Sequence, residues 1–108
     1  MINYDIHNDK QGFDRIKYDL DIQIKFAKRE KDRLLCLIVG YGSTGGTHKI
    51  KNNAIEILEE YKKNNRIKDY LLGDNLDIFN PLYQSFKGKD NIPSNLKNIN
   101  PGIIIILV

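Results

Sequence analysis

Asp5 and His7 stand two residues apart in a stretch, 2–7, that alternates apolar and polar side chains. On an extended strand this spacing puts a carboxylate and an imidazole on one face. Such a pair can orient a water, share a divalent metal or take a proton from a ribose hydroxyl. It can equally be a hydrogen-bonded pair that fixes a strand end. A second group of chemically able residues follows the apolar run 34–39. Gly40, Tyr41, Gly42, Ser43, Thr44, Gly45, Gly46 and Thr47 lead into His48, Lys49 and Lys51. Glycines accept positive φ and expose their N–H groups. A helix start adds unpaired donors and the positive end of the dipole, so the place suits an anion. Phosphate is the anion expected, from a nucleic-acid backbone or a small nucleotide.

Lys49 and Lys51 fall in the first helical turn, where cations oppose the dipole, which suits a phosphate grip. Tyr41 at the loop tip is placed either to stack on a base or to pack on its own domain. Gly40-Tyr41-Gly42-Ser43-Thr44-Gly45 matches G-x-G-x-x-G between a strand and a helix. A dinucleotide site also needs an acid after the next strand, for which Asp74 is available, and three more parallel strands, which are missing. The phosphate-loop pattern nearly fits 40–47, but Gly46 stands where its lysine belongs, which leaves the β/γ-phosphate charge without a counterion.

The elements that must position these groups follow from periodicity. Phe13, Ile16, Leu20, Ile24 and Ala27 recur at helical steps, which predicts a helix over about 11–30, after turn or cap residues Asn8 and Asp9. Residues 33–39 are apolar on both faces and read as a central strand under helices. Ile50, Ala54, Ile57, Leu58 and Tyr61 form the stripe of a second helix ending near Asn64, with Thr47 as its cap. A third strand is expected over 66–72. Residues 73–100 break the pattern as an irregular insertion rich in Asn, Asp, Gly, Pro, Ser and Lys. Within it Phe79, Leu82 and Phe86 are expected to cover part of the core; the alternative is that Tyr83 and Phe86, interleaved with Lys87 and Lys89, make a second contact surface. Residues 103–108 form a last, interior strand. The order βαβαββ implies an α/β fold, a two-layer sandwich with a four-stranded mixed sheet, in one domain spanning 1–108.

Composition sets outer limits. At 41% hydrophobic and 29% charged, the chain falls among soluble globular domains. No stretch approaches a membrane span, the start lacks a secretion pattern, and the single cysteine, Cys36, lies in the apolar run. A cytoplasmic monomer without a membrane partner is expected, with Cys36 a buried, unreactive thiol. The net charge of +3 permits nucleic-acid binding without demanding it. Lys25, Lys28, Arg29, Lys31 and Arg33 form the clearest basic cluster, suited to a solvated helix end or to phosphate contact.

Nearly the whole chain resembles the small MutS-related (Smr) domain family in a stand-alone, bacterial-type form. Tyr4-Asp5-Ile6-His7-Asn8 resembles the family's L-D-x-H-G strand end at Asp5 and His7. Val39-Gly40-Tyr41-Gly42 and the following glycines resemble its H-G-x-G-x-G motif, and Gly102 with 103–108 resembles its G-V-T-I-V-x-L last strand. Departures are Val39 for the family histidine, Asn8 for a glycine, a loop lengthened by Thr44-Gly45-Gly46-Thr47, and His48-Lys49-Ile50-Lys51 where Leu-Arg opens the helix. The resemblance implies a fold similar to the C-terminal domain of translation initiation factor three. It also implies binding of DNA or RNA, with DNA nicking or RNA cleavage in several members. Asp5, His7 and a shifted His48 would then serve phosphodiester hydrolysis, with a divalent metal such as magnesium or manganese. Residues 40–47 with Lys49 and Lys51 would hold phosphate. The alternatives are a non-catalytic nucleic-acid-binding module and a small-nucleotide or phosphate-binding domain.

Overall fold

The computed structural model describes residues 1–6, 12–40, 49–75 and 101–108. Along the chain run β1 (Ile2–Asp5), α1 (Phe13–Ala27), β2 (Leu34–Ile38), α2 (Lys49–Lys63), β3 (Asp69–Leu72), a 3-10 turn (Gly73–Asn75) and β4 (Ile103–Leu107). The strands form one mixed sheet in the order β1-β2-β4-β3. β1 runs parallel to β2, with Asp5 opposite Ile38, while β4 lies antiparallel to both β2 and β3. The fold is α/β, as the order of elements implies.

Alternation along the strands divides the core in two. Leu35, Leu37, Ile104 and Ile106 share one face with Ile6 and Val39, and on it pack Ile16, Leu20, Ile24 and Ala27 of α1 and Ala54, Ile57, Leu58 and Tyr61 of α2. Both helices therefore lie on one side of the sheet. Leu34, Cys36, Leu71, Ile103 and Ile105 form a separate buried cluster on the other side. This is why β2 and β4, the two interior strands, are apolar at every position. The β-branched run of β4 adds strand preference to that burial. The expectation that Phe79, Leu82 and Phe86 cover core, like the surface offered by Tyr83, Lys87 and Lys89, falls on residues outside those described.

α1 fills its apolar stripe and stops short of the expected 11–30, and α2 ends next to the expected Asn64, for identifiable reasons. α1 starts after Gly12, whose extended backbone ends the preceding segment (φ −74, ψ 173). It closes after Ala27 as Arg29 N and Glu30 N switch to three-residue bonds with Phe26 O and Ala27 O. α2 ends in a Schellman turn. Arg66 N reaches Tyr61 O at 2.8 Å and Asn65 N reaches Lys62 O at 3.2 Å, with Asn65 in left-handed backbone at φ 61. That turn uses Asn65 and Arg66, so β3 begins at Asp69 instead of 66. The helices are joined through Tyr61, whose buried hydroxyl donates to Asp21 Oδ1 while Arg66 lies 4.3 Å above its ring. Burial first, and the Asp21 carboxylate second, push the Tyr61 phenol far above its ordinary pKa.

Candidate functional site

Parallel β1, β2 and β3 finish at the same end of the sheet, where β4 begins. α1 and α2 each return from the far end of one strand to the start of the next, so both helix N-termini point to this end too. Ligand sites in open α/β sheets gather where such strands finish. The chain leaves this end through 7–11, 41–48 and 76–100, and the first two of these hold most of the expected site.

The described floor of the site is tightly bonded. Gly102 O accepts from Val39 N at 2.8 Å and from Gly40 N at 3.1 Å, and Gly40 holds left-handed backbone at φ 74. A glycine is needed there because a Cβ would strain that conformation. Ile6 N donates to Ile38 O at 2.9 Å, extending the β1–β2 pairing one residue past Asp5. Asp5 is exposed at the strand end, and Lys49 is exposed at the start of α2. α1 carries Asp14 in its first turn, whereas α2 has no acid in its own, so the α2 start keeps more of its positive field.

Lys51 is engaged by the protein itself. Its side chain is only 11% exposed, and its Nζ donates to Asp74 Oδ1 at 2.6 Å and to Pro101 O at 3.0 Å. The ammonium thus ties the first turn of α2 to the 3-10 turn after β3 and to the start of β4. Asp74, weighed from sequence as an acid for a dinucleotide ribose, is the carboxylate in that tie. Nothing in local periodicity signals it, because the partners lie 23 and 50 residues away.

Of the expected site residues, the structure brings Asp5, Gly40, Lys49 and Lys51 to one end of the sheet. His7, His48 and the loop residues Tyr41, Gly42, Ser43, Thr44, Gly45, Gly46 and Thr47 lie outside the described residues. Among the described residues, no group of three or more His, Cys, Asp or Glu side chains could hold a metal ion. Nor is any described helix long and apolar enough to cross a membrane. A shallow cleft between α2 and β3 is lined by Glu59, Lys62, Asp69, Tyr70 and Asn75. Four of its polar side chains bond in pairs. Tyr70 donates to Glu59, and Lys62 pairs with Asp69 at 3.1 Å. Burial, then the Glu59 bond, raises the Tyr70 phenol well above its usual range.

Sequence reasoning passed over Asp19. It is 6% exposed on α1, 3.6 Å from Arg15 Nε through Oδ1, with no hydrogen-bond partner for Oδ2. The apolar stripe through Ile16 and Leu20 runs beside it, so spacing gave no sign of its burial.

No family model, no curated protein and no solved structure matches the chain.

Proposed function

We propose that this protein is an Smr-like, cytoplasmic, monomeric nucleic-acid-binding domain that holds phosphodiester groups at the end of the sheet where β1, β2 and β3 finish. The observation that carries the reading is the meeting there of two helix N-termini, the left-handed Gly40 and the exposed Lys49. Phosphate chemistry follows from that combination. Main-chain donors and a dipole end attract an anion, and an ammonium group neutralises it without needing a fixed geometry. Residues 42–47 would supply the main-chain donors. Lys51 would support the site from beneath by fixing the α2 start to Asp74 and Pro101.

Asp5 favours a second, stronger reading. An exposed carboxylate at the strand end, opposite Ile38, would orient a water for hydrolysis. With His7 and His48 it would form the reacting set of an endonuclease, and a divalent metal would supply charge neutralisation at the phosphate.

Titrating labelled isotope-enriched protein with a short oligonucleotide tests the binding reading. The amides of Gly40 and Lys49 should shift, and affinity should fall steeply with salt as counterions are released. Flat affinity between low and moderate salt would contradict it. Asp5→Ala then separates the two readings: an endonuclease loses metal-dependent cleavage and keeps affinity, whereas a binding module cleaves neither before nor after substitution.

A further inference from the structure

The opposite end of the sheet carries the molecule's described positive charge. Two turns meet there, 28–33 before β2 and 62–69 around the end of α2. They hold eight basic side chains against three acidic ones, a net charge of +5, whereas the whole chain carries only +3. The rest of the protein is therefore net negative. The turns are held on either side of the end of β4. Arg33 O accepts from Val108 N at 3.0 Å, and Leu107 O accepts from Lys68 N at 2.8 Å. Since β2 and β3 both flank β4, the turns stand about 10 Å apart, two strand spacings.

Helix termini account for part of this charge and no more. Of the eight, Lys62 and Lys63 fall in the last turn of α2, where a cation complements the dipole. Arg33 bonds the Val108 carbonyl through Nε at 3.1 Å, Arg66 bonds Asp21 at 3.1 Å, and Lys62 pairs with Asp69. Lys28, Arg29, Lys31 and Lys68 lie beyond both helices and are exposed. Crowding like charges at one end raises the free energy of the isolated protein and creates a field that draws a polyanion.

The aromatic side chains point the same way. Among the described residues, the exposed large hydrophobics are Tyr18, at 60%, and Phe26, at 47%, both on α1. Phe26 lies in the last turn of α1, between Lys25 and Lys28. An exposed ring beside cations is the pairing that stacks an unpaired base while neutralising its phosphate. A lipid surface fits less well. The one apolar residue in the two turns, Ile67, is 3% exposed, so they present no aliphatic side chain for insertion.

We propose that this basic end, rimmed by Phe26, is a second binding surface that takes single-stranded nucleic acid, through phosphate contacts from both turns and base stacking on the ring. The surface is distinct from the glycine-loop site and does not depend on it.

The test measures fluorescence anisotropy of a labelled oligo-dT strand on the full chain, on Lys28→Glu/Arg29→Glu/Lys31→Glu, on Phe26→Ala and on Lys49→Glu. All the substituted side chains are exposed, and far-UV circular dichroism checks that the fold persists. Triple reversal should weaken binding roughly a hundredfold and lower the salt slope by about two, as three lost single-strand phosphate contacts require. Phe26→Ala should weaken the single strand by roughly tenfold and leave a duplex unaffected. Unchanged affinity in the triple variant overturns the proposal. So does equal loss for duplex and strand in Phe26→Ala, or binding of phosphatidylserine vesicles with no binding of the strand. Lys49→Glu separates the two sites. Loss there with the triple variant intact leaves the glycine-loop reading standing and removes this one, and the reverse pattern does the opposite.

Discussion

Where β2 and β3 begin, the chain reverses within 28–33 and 64–68, and its bonds can be written residue by residue. Where those strands finish, it leaves through 7–11, 41–48 and 76–100. Leu34 N donates to Asp32 Oδ1 at 3.1 Å, Asn65 supplies the left-handed step after α2, and Arg33 and Lys68 clasp the end of β4. At the other end the described bonds converge on Pro101 and Gly102 from Val39, Gly40 and Lys51. The turns at 28–33 and 64–68 fix where β2 and β3 begin, and the connections at the other end include most of the residues expected in the site. Charge divides along the same line. Helix C-termini gather cations at the turn end, while helix N-termini at the loop end leave main-chain donors and few described charges.

The largest effect expected acts on the sheet between the ends. Cys36 stands in the middle row, paired with Asn3 and Ile105, and burial pushes its thiol from 9.0 up to about 11. The folded state keeps its proton where the unfolded chain loses it. The stability this protects is complete below about pH 9 and is lost as pH rises toward 11, by roughly 2–3 kcal/mol. The raised phenols of Tyr61 and Tyr70 add to the loss in the same direction at higher pH. Urea unfolding across this range should show the slope, and Cys36→Ala should flatten its first part. Hydrogen exchange sharpens the comparison. If the sheet couples the ends, the amides of Lys68 and Gly40 lose protection together; if Gly40 opens first, the loop end is an independent unit.

Much of this architecture can be read from the chain. The apolar runs at 34–39 and 103–108 require interior strands, and the stripes through Ile16, Leu20 and Ile24 and through Ala54, Ile57 and Leu58 require helices on one side. Pairing is harder to read, because the insertion of β4 between β2 and β3 is a long-range choice that local periodicity does not encode. The same limit governs the site. Glycines and Lys49 raise the expectation of an anion-binding helix start, but the engagement of Lys51 with Asp74 and Pro101 exists only once three distant segments meet. The basic cluster is plain in the sequence as the end of the first helix. Its separation from the glycine loop follows from β2, the strand that runs between the two.

Among the described residues the loop end holds one in left-handed backbone, Gly40, and the turn end holds two, Arg33 at φ 55 and Asn65, which gives the next effect in size. Asn65 at φ 61 tolerates that conformation through its short polar side chain, and Gly40 at φ 74 has no Cβ to oppose it. Asn65→Val and Gly40→Ala should each destabilise by about 1–2 kcal/mol, read from denaturant midpoints. Asn65→Gly should change stability by no more than about 0.5 kcal/mol. Only Gly40→Ala should also disturb oligonucleotide-induced shifts around Lys49. An equal disturbance from Asn65→Val would mean that the ends communicate through α2, which would break the division of labour between them.

The smallest effect expected decides what Lys51 is for. Its ammonium makes one charged bond to a half-exposed carboxylate and one to a main-chain carbonyl, in a side chain 11% exposed. Lys51→Met keeps the length and apolar contact of the stem and removes both bonds. Solvent screens the Asp74 pair, so the loss should be about 1 kcal/mol or less. Oligonucleotide affinity at fixed salt should stay within about twofold, because this cation is held inward, toward Asp74 and Pro101. A stable variant with a tenfold weaker affinity would reverse the assignment and return Lys51 to the phosphate-binding set beside Lys49. Loss of stability with affinity kept places it instead among the bonds that tie α2 to Asp74 and to the start of β4.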